Sequence, residues 1–321
     1  MSLTMHGCQF PTWSFSSLNV RGRTWFRFGN ELDVPILYIV NRCLTETGSG
    51  MELSGRVVLV TGGANGIGRA LCQRIAQEKP RGIVIADRDL ANAEIVAREI
   101  GAQAIACDVS SESEVQSVVQ KTRDLFGRID VVISNAGATI KGGFETPDED
   151  WNRMWQINLM SHVYLSRATV PAMIEQGGGT FVITSSAAGL LTEIGSAAYS
   201  VTKHGAVAFA EWLSVHYRNR GLNVACLCPA GVSTGFLDME DPIHQFLHFM
   251  SVTPEHVAEC VIDVLRNETF LVLPQPEVKE FFQFKTQDYD KWLHNFAHVH
   301  TRIQKRLARA AAPEKKSSEN L

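Results

Sequence analysis

The chain has 321 residues, with 45% hydrophobic side chains, 20% charged side chains and a formal net charge of −4. This balance is ordinary for a globular protein and excludes wholesale disorder and collagen-like structure. It also disfavours nucleic-acid binding through bulk charge, which needs clustered Lys and Arg.

The first fifty residues carry seven aromatics and no clear amphipathic repeat. They read as an N-terminal extension, residues 1–50, expected to be poorly ordered. Two other readings stay open: a start codon chosen upstream of Met51, or a targeting or interaction arm. The segment lacks the basic start, apolar core and small-residue cleavage site of a signal peptide. Its best apolar run, Val34 to Val40, is far short of the roughly 18 apolar residues of a membrane span. No integral membrane segment is expected anywhere.

From Arg56 a regular alternation begins. Short apolar runs at Val57–Val60, Gly82–Ala86, Ala104–Cys107, Ile129–Ser134, Thr180–Thr184, Asn223–Cys228 and Phe270–Leu273 read as strands. Helical stretches lie between them, at Arg69–Gln77, Ala91–Ile100, a polar stretch through Phe126, and around 148–176, 198–219 and 254–266. Continuous apolar strands alternating with helices predict a mostly parallel seven-stranded sheet covered on both faces. The fold class is α/β, a single doubly wound Rossmann-type domain over residues 51–275. A C-terminal helical segment and basic tail follow, residues 276–321. Positions 302–316 hold six Lys or Arg against one Glu. A solvated helix end is the plain reading, and contact with an anionic surface the sharper one.

Seven scattered cysteines include no pair at CxxC spacing. A disulfide framework or zinc ribbon is not expected, and Cys107, Cys226 and Cys228 read as small buried residues. The thiols point to a reduced, cytoplasmic setting. His244 and His248, like His294 and His298, are spaced i, i+4, but neither pair encloses a Glu in the HExxH manner. No metal is expected.

The glycine-rich stretch Thr61-Gly-Gly-Ala-Asn-Gly-Ile-Gly68 sits between the first strand and the first helix. Gly62, Asn65, Gly66, Ile67 and Gly68 would let a pyrophosphate approach the backbone, at a helix N-terminus with free N–H groups. Asp87 ends the second strand, nineteen residues after Gly68. A carboxylate there accepts from ribose hydroxyls and repels a 2′-phosphate. Arg88 is the counter-argument, since a guanidinium grips phosphate. NAD is favoured over NADP. Asp108 and Val109 follow the third strand, and Asn135, Ala136 and Gly137 the fourth, where ligands of open α/β sheets bind.

Tyr199 and Lys203 are four apart in a helical stretch and project from one face. A phenol is a poor base at neutral pH, and a neighbouring cation lowers its pKa. Such a pair suits proton exchange with an alcohol or ketone oxygen. Ser186, thirteen residues before Tyr199, would donate to that oxygen. Asn158, polar in an apolar helical stretch, needs partners and would hold a water relaying protons from Lys203.

These residues, in this order and at these spacings, resemble the short-chain dehydrogenase/reductase family of the Tyr-x-x-x-Lys type. Pro229-Ala-Gly-Val232-Ser-Thr234 resembles that family's segment after the sixth strand. The likeness spans about residues 51–275. It implies a Rossmann-type fold, a nicotinamide cofactor, and hydride transfer between an alcohol and a carbonyl. By the resemblance Tyr199 is the acid/base, Lys203 lowers its pKa and binds the nicotinamide ribose, Ser186 binds substrate oxygen, and Asn158 is the relay. Pro229, Val232 and Thr234 sit at the nicotinamide. Ala230 stands where the family usually has Gly, which narrows backbone options there.

Between Thr234 and Val252 lie Phe236, Leu237, Met239, Ile243, Phe246, Leu247, Phe249 and Met250. In the family this stretch forms a lid, and its apolar content suits a hydrophobic secondary alcohol or ketone. Leu190, Leu191 and Ile194 point the same way. The expected activity is an NAD-dependent oxidoreductase. The alternatives are an NADPH-dependent carbonyl reductase and a non-catalytic dinucleotide-binding sensor, with membrane association through either terminus a third. By analogy with the family, a homodimer or homotetramer is expected.

Overall fold

The computed structural model describes residues 17–20, 23–26, 50–236 and 251–311, with side chains described between 50 and 305. Outside the described residues lie Cys8, Cys43, Val34–Val40, His244, His248, the apolar positions from Leu237 to Met250, and the tail beyond 311. The chain divides into Met1–Ser49 and Gly50–Leu321. In the first unit, β1 (Ser17–Val20) and β2 (Arg23–Phe26) pair as an antiparallel hairpin.

The second unit is the predicted α/β fold. Seven strands, β3 (Val57–Thr61), β4 (Gly82–Asp87), β5 (Gln103–Ala106), β6 (Val131–Ser134), β7 (Gly179–Thr184), β8 (Leu222–Leu227) and β9 (Leu271–Val272), form one sheet in the order β5-β4-β3-β6-β7-β8-β9. Every ladder in it is parallel. The order reverses between β3 and β6, the switch point at which such sheets bind ligands.

Alternation along β3 sends its side chains to two cores. Val58 and Val60 meet α1 (Gly66–Ala76), α2 (Leu90–Ile100) and α8 (Pro254–Asn267). Leu59 faces the core shared by α3 (Glu112–Phe126), α5 (Ser161–Glu175) and α7 (Ala197–Tyr217). Strands buried on both faces explain why each reads as a continuous apolar run. Local chemistry fixes the helix ends. Asp89, Ser111, Ser196 and Thr253 cap the starts of α2, α3, α7 and α8. Gly101 and Gly127 end α2 and α3 at φ of 71° and 79°, a conformation that favours glycine.

Three details add to the sequence reading. The stretch 148–176 is α4 (Asp148–Trp155), a π-helical turn (Gln156–Met160) and α5, because a residue is accommodated without breaking the helix. A one-turn helix, α6 (Ala188–Leu191), fills part of the gap between Ser186 and Tyr199. The segment after β9 is two long helices, α9 (Pro276–Gln287) and α10 (Tyr289–Ala311), and Val278 and Trp292 join the α3–α5–α7 core. Among the described residues no helix is long and apolar enough to cross a membrane.

Candidate active site

The predicted site residues gather at the carboxyl ends of the strands. The glycine loop after β3 is a cradle that side chains would fill. Gly62 has φ 68°, and a Cβ there would stand 2.8 Å from the Ala136 Cα. A Cβ on Gly68 would overlap the Gly62 carbonyl. Gly66, at φ 53°, faces Thr234, whose Cγ2 would lie 3.3 Å from a Cβ. The loop therefore touches both the β6 end and the β8 end of the site. Asn65 is exposed and Ile67 half-buried at the start of α1.

Asp87 is half-buried and aimed into the loop. One carboxylate oxygen accepts from the Ala64 amide and the other from the Asp89 amide, each at 3.0 Å. Each oxygen keeps a lone pair for a ligand hydroxyl. Arg88 is exposed and makes no ion pair among the described residues. Asp108 turns one oxygen back onto the Ser110 amide at 2.9 Å and hydroxyl at 2.7 Å, while Val109 is buried.

Asn135 proves to be a structural knot. Its side-chain amide donates to the Thr61 and Gly62 carbonyls at 3.2 and 3.3 Å, and its oxygen accepts from the Thr184 hydroxyl at 3.3 Å. Its backbone N–H and that of Ala136 share the Thr61 hydroxyl. Asn158, fully buried in the π turn, likewise commits its amide to protein. It accepts from the Ala138 N–H at 2.9 Å and donates to the Ala138 carbonyl at 2.9 Å and the Thr202 hydroxyl at 3.2 Å. The side chain expected to hold a water is thus spent on tying the loop after β6 to α7. Gly137 lies between this amide and Lys203: a Cβ would stand 3.4 Å from both Asn158 Oδ1 and Lys203 Nζ.

Ser196 caps α7 by accepting from the Tyr199 amide at 3.1 Å, which sets the helix register so that Tyr199 and Lys203 face inward. Lys203 is 2% exposed and donates to the Thr184 carbonyl at 3.0 Å. Its Nζ is 5.6 Å from the centroid of the Tyr199 ring. Ser186, at the end of β7, accepts from the Ala188 amide at 3.1 Å and donates to the Pro229 carbonyl at 3.3 Å. The neighbouring Ser185 instead donates to the Lys203 carbonyl at 2.8 Å and holds α7 in place.

Burial governs the charges here. It pushes the Tyr199 phenol up, while the nearby Ser186 hydroxyl acts in the opposite direction. It pulls the Lys203 ammonium down to about 8. For the Tyr199 phenol, the cost of taking the phenolate out of water outweighs the lowering by Ser186.

After β8, Val232 is buried and pairs with Val252 in an isolated bridge. Thr234 bonds back to Val232, and Phe236 is half-exposed with its ring centroid 6.0 Å from that of Tyr199. Ala230 has no positive φ, so alanine is unstrained where glycine is usual. Its N–H donates to Gln275 at 3.0 Å, and Gln275 donates to the Gly231 carbonyl at 2.7 Å.

Sequence reasoning missed Gln275. It also missed His162, which is fully buried with Nδ1 2.6 Å from the Ser134 hydroxyl and no partner for Nε2. Burial, then the Lys203 charge, pulls this imidazole down to about 3, so it is neutral. Its only local signal is its place four residues after Asn158.

Comparison with known proteins decides the family. Residues 56–242 match the profile described as short chain dehydrogenase. The chain belongs to the short-chain dehydrogenase/reductase family. It is 32% identical over 253 residues to 1-deoxy-11-beta-hydroxypentalenate dehydrogenase of Streptomyces exfoliatus, spanning 76% of this chain and 91% of the relative. It is 30% identical over 217 residues to carbonyl reductase family member 4 of Xenopus laevis, spanning 66% and 92%. A solved short-chain dehydrogenase/reductase from Burkholderia phymatum in complex with NAD superposes with a TM-score of 0.69 at 26% identity, over 75% of this chain and 96% of that one. As a member of this family the chain is an oxidoreductase that acts on a small-molecule substrate with NAD or NADP.

Proposed function

We propose that this enzyme transfers a hydride between NAD(H) and a hydrophobic secondary alcohol or ketone. The observation that carries the reading is the cluster of Ser186, Tyr199 and Lys203 at the carboxyl end of β7 and the start of α7, beside a glycine cradle that fits a pyrophosphate. When bound, the dinucleotide supplies or accepts the hydride. Gly62, Asn65, Gly66, Ile67 and Gly68 would hold its pyrophosphate. Asp87 would hold the adenosine ribose, with Asp108 and Val109 beside the adenine. Asn135, Ala136, Gly137, Pro229, Val232 and Thr234 would line the nicotinamide half.

Ser186 donates to the substrate oxygen and steadies the charge that develops on it. In reduction, Tyr199 gives its proton to that oxygen as the hydride arrives at carbon. Its raised pKa keeps it protonated and ready to do so at neutral pH. In oxidation it takes the alcohol proton, and Lys203 then offsets the phenolate charge. Asn158, the relay residue by the family resemblance, serves this reading by tying Ala138, after β6, to Thr202, next to Lys203 in α7. Phe236, Leu190 and Leu191 supply apolar wall. A second reading takes NADPH, because the exposed Arg88 adjoins Asp87 and is free to meet a 2′-phosphate.

Fluorescence-quenching titration of NADH and NADPH, on wild type and Asp87→Ala, tests the choice. We expect wild type to bind NADH more tightly and the variant to lose about tenfold in that preference. Tighter NADPH binding by wild type would hand the selector role to Arg88. A homodimer or homotetramer remains part of the proposal, supported by the exposed apolar residues Val201, Trp212 and Val215 on α7. So does a cytoplasmic setting, supported by the free thiols of Cys72, Cys107, Cys226, Cys228 and Cys260.

A further inference from the structure

Lys285 lies on α9, beyond the segment that matches the family profile. It is 5% exposed, and its ammonium donates to the Leu190 carbonyl at 2.5 Å across 95 positions of sequence. No carboxylate lies within ion-pair distance of it among the described residues. Its ammonium also lies 5.2 Å from the centroid of the Tyr289 ring. Burying a cation without a counter-ion is costly, and a methionine would fill the same space without that cost. Stability alone therefore does not account for a lysine here.

The acceptor explains more. Leu190 is near the end of α6, where free carbonyls carry partial negative charge and a lysine is a good cap. The other end of that turn starts at Ser186. The Ser186 hydroxyl accepts from the Ala188 amide, and the Ser186 carbonyl accepts from the Gly189 amide at 2.9 Å. Four helical residues span about 6 Å, so no second turn exists to absorb a shift. Immediately after α6, Thr192 is held at φ 76°. A β-branched residue keeps that strained conformation only where its surroundings enforce it.

We propose that Lys285 is a positioning residue that clamps the carbonyl end of α6 and so fixes the Ser186 hydroxyl opposite Tyr199. The inference rests on the hydride-transfer reading above and extends it to a helix that the family profile does not reach.

The test compares wild type, Lys285→Met, Ser186→Ala and the double variant in reduction of 4-phenyl-2-butanone by NADH. Lys285→Met is expected to lower kcat about tenfold with KM for NADH unchanged. Once Ser186 is already alanine, the same change should cost less than about twofold more. Lys285→Arg should restore kcat to within about threefold of wild type. Hydrogen exchange over 188–192 reads the clamp without turnover and should quicken about tenfold in Lys285→Met. An equal kcat loss in both Ser186 backgrounds, or unchanged exchange in Lys285→Met, overturns the proposal. If Lys285→Met does not fold, Lys285→Gln carries the same comparison. A wild type that does not reduce the ketone counts against the hydride-transfer reading, while the exchange result still decides the clamp.

Discussion

At the amino end of the sheet, Asp130 is 1% exposed and fully answered. It accepts from the Val57 amide at 2.9 Å and pairs with Arg128 at 2.7 Å and Arg56 at 3.4 Å. At the carboxyl end, Lys203 is about equally buried, yet among the described residues its ammonium donates to the Thr184 carbonyl and no carboxylate pairs with it. One buried charge joins the start of β6 to β3. The other is left uncompensated beside a phenol that burial keeps protonated. A titratable group perturbed by burial inside a cleft is a candidate for chemistry. In the proposed mechanism the first charge holds the fold and the second serves the chemistry.

The largest expected effect comes from removing the unpaired cation. Lys203→Met should lower kcat by about a thousandfold, yet leave the protein as stable or up to about 3 kcal/mol more stable, since an apolar side chain replaces an unpaired buried ion. Steady-state kinetics and a denaturant titration of the same sample check both halves.

His162 comes next. Its imidazole, pulled down to about 3 in the fold from the ordinary 6.5, stays neutral while the unfolded chain takes up a proton. The His162 contribution to stability should therefore be level above pH 6.5 and be lost progressively as pH drops toward 3. His162→Gln removes this slope. By pH 4 the two proteins should differ by about 3 kcal/mol in their pH-dependent loss, read from urea midpoints.

The smallest effect belongs to the paired end. Asp130→Ala leaves the Val57 amide without its acceptor, while Arg56 and Arg128, both partly exposed, regain water. It should cost about 2 kcal/mol by chemical denaturation and leave kcat within about twofold. A large kcat loss there would blur the distinction between the two ends.

Much of this molecule was legible from local pattern. Runs such as Val57–Val60 announce buried strands, Ser111 and Gly127 mark the ends of one helix, and the glycine loop and Tyr199-x-x-x-Lys203 each sit within a few residues. Residues that act across the fold leave no such trace. Gln275 reaches Ala230 over 45 positions, and Lys285 reaches Leu190 over 95. Both bond to backbone atoms, which any sequence supplies, so no second residue type marks the pairing. The π turn around Asn158 was hidden for a related reason. It preserves the apolar helical pattern while shifting the hydrogen-bond ladder. The burial that pushes the Tyr199 phenol up is a property of the folded chain and leaves no mark in the sequence.

The most direct test of the central claim is a single turnover of 4-phenyl-2-butanone with prebound NADH, in wild type and in Tyr199→Phe, followed by loss of nicotinamide absorbance. The account predicts that both proteins bind NADH within about twofold of each other, and that Tyr199→Phe consumes it at least about a hundredfold more slowly. Equal rates in the two proteins would contradict the assignment of proton transfer to Tyr199.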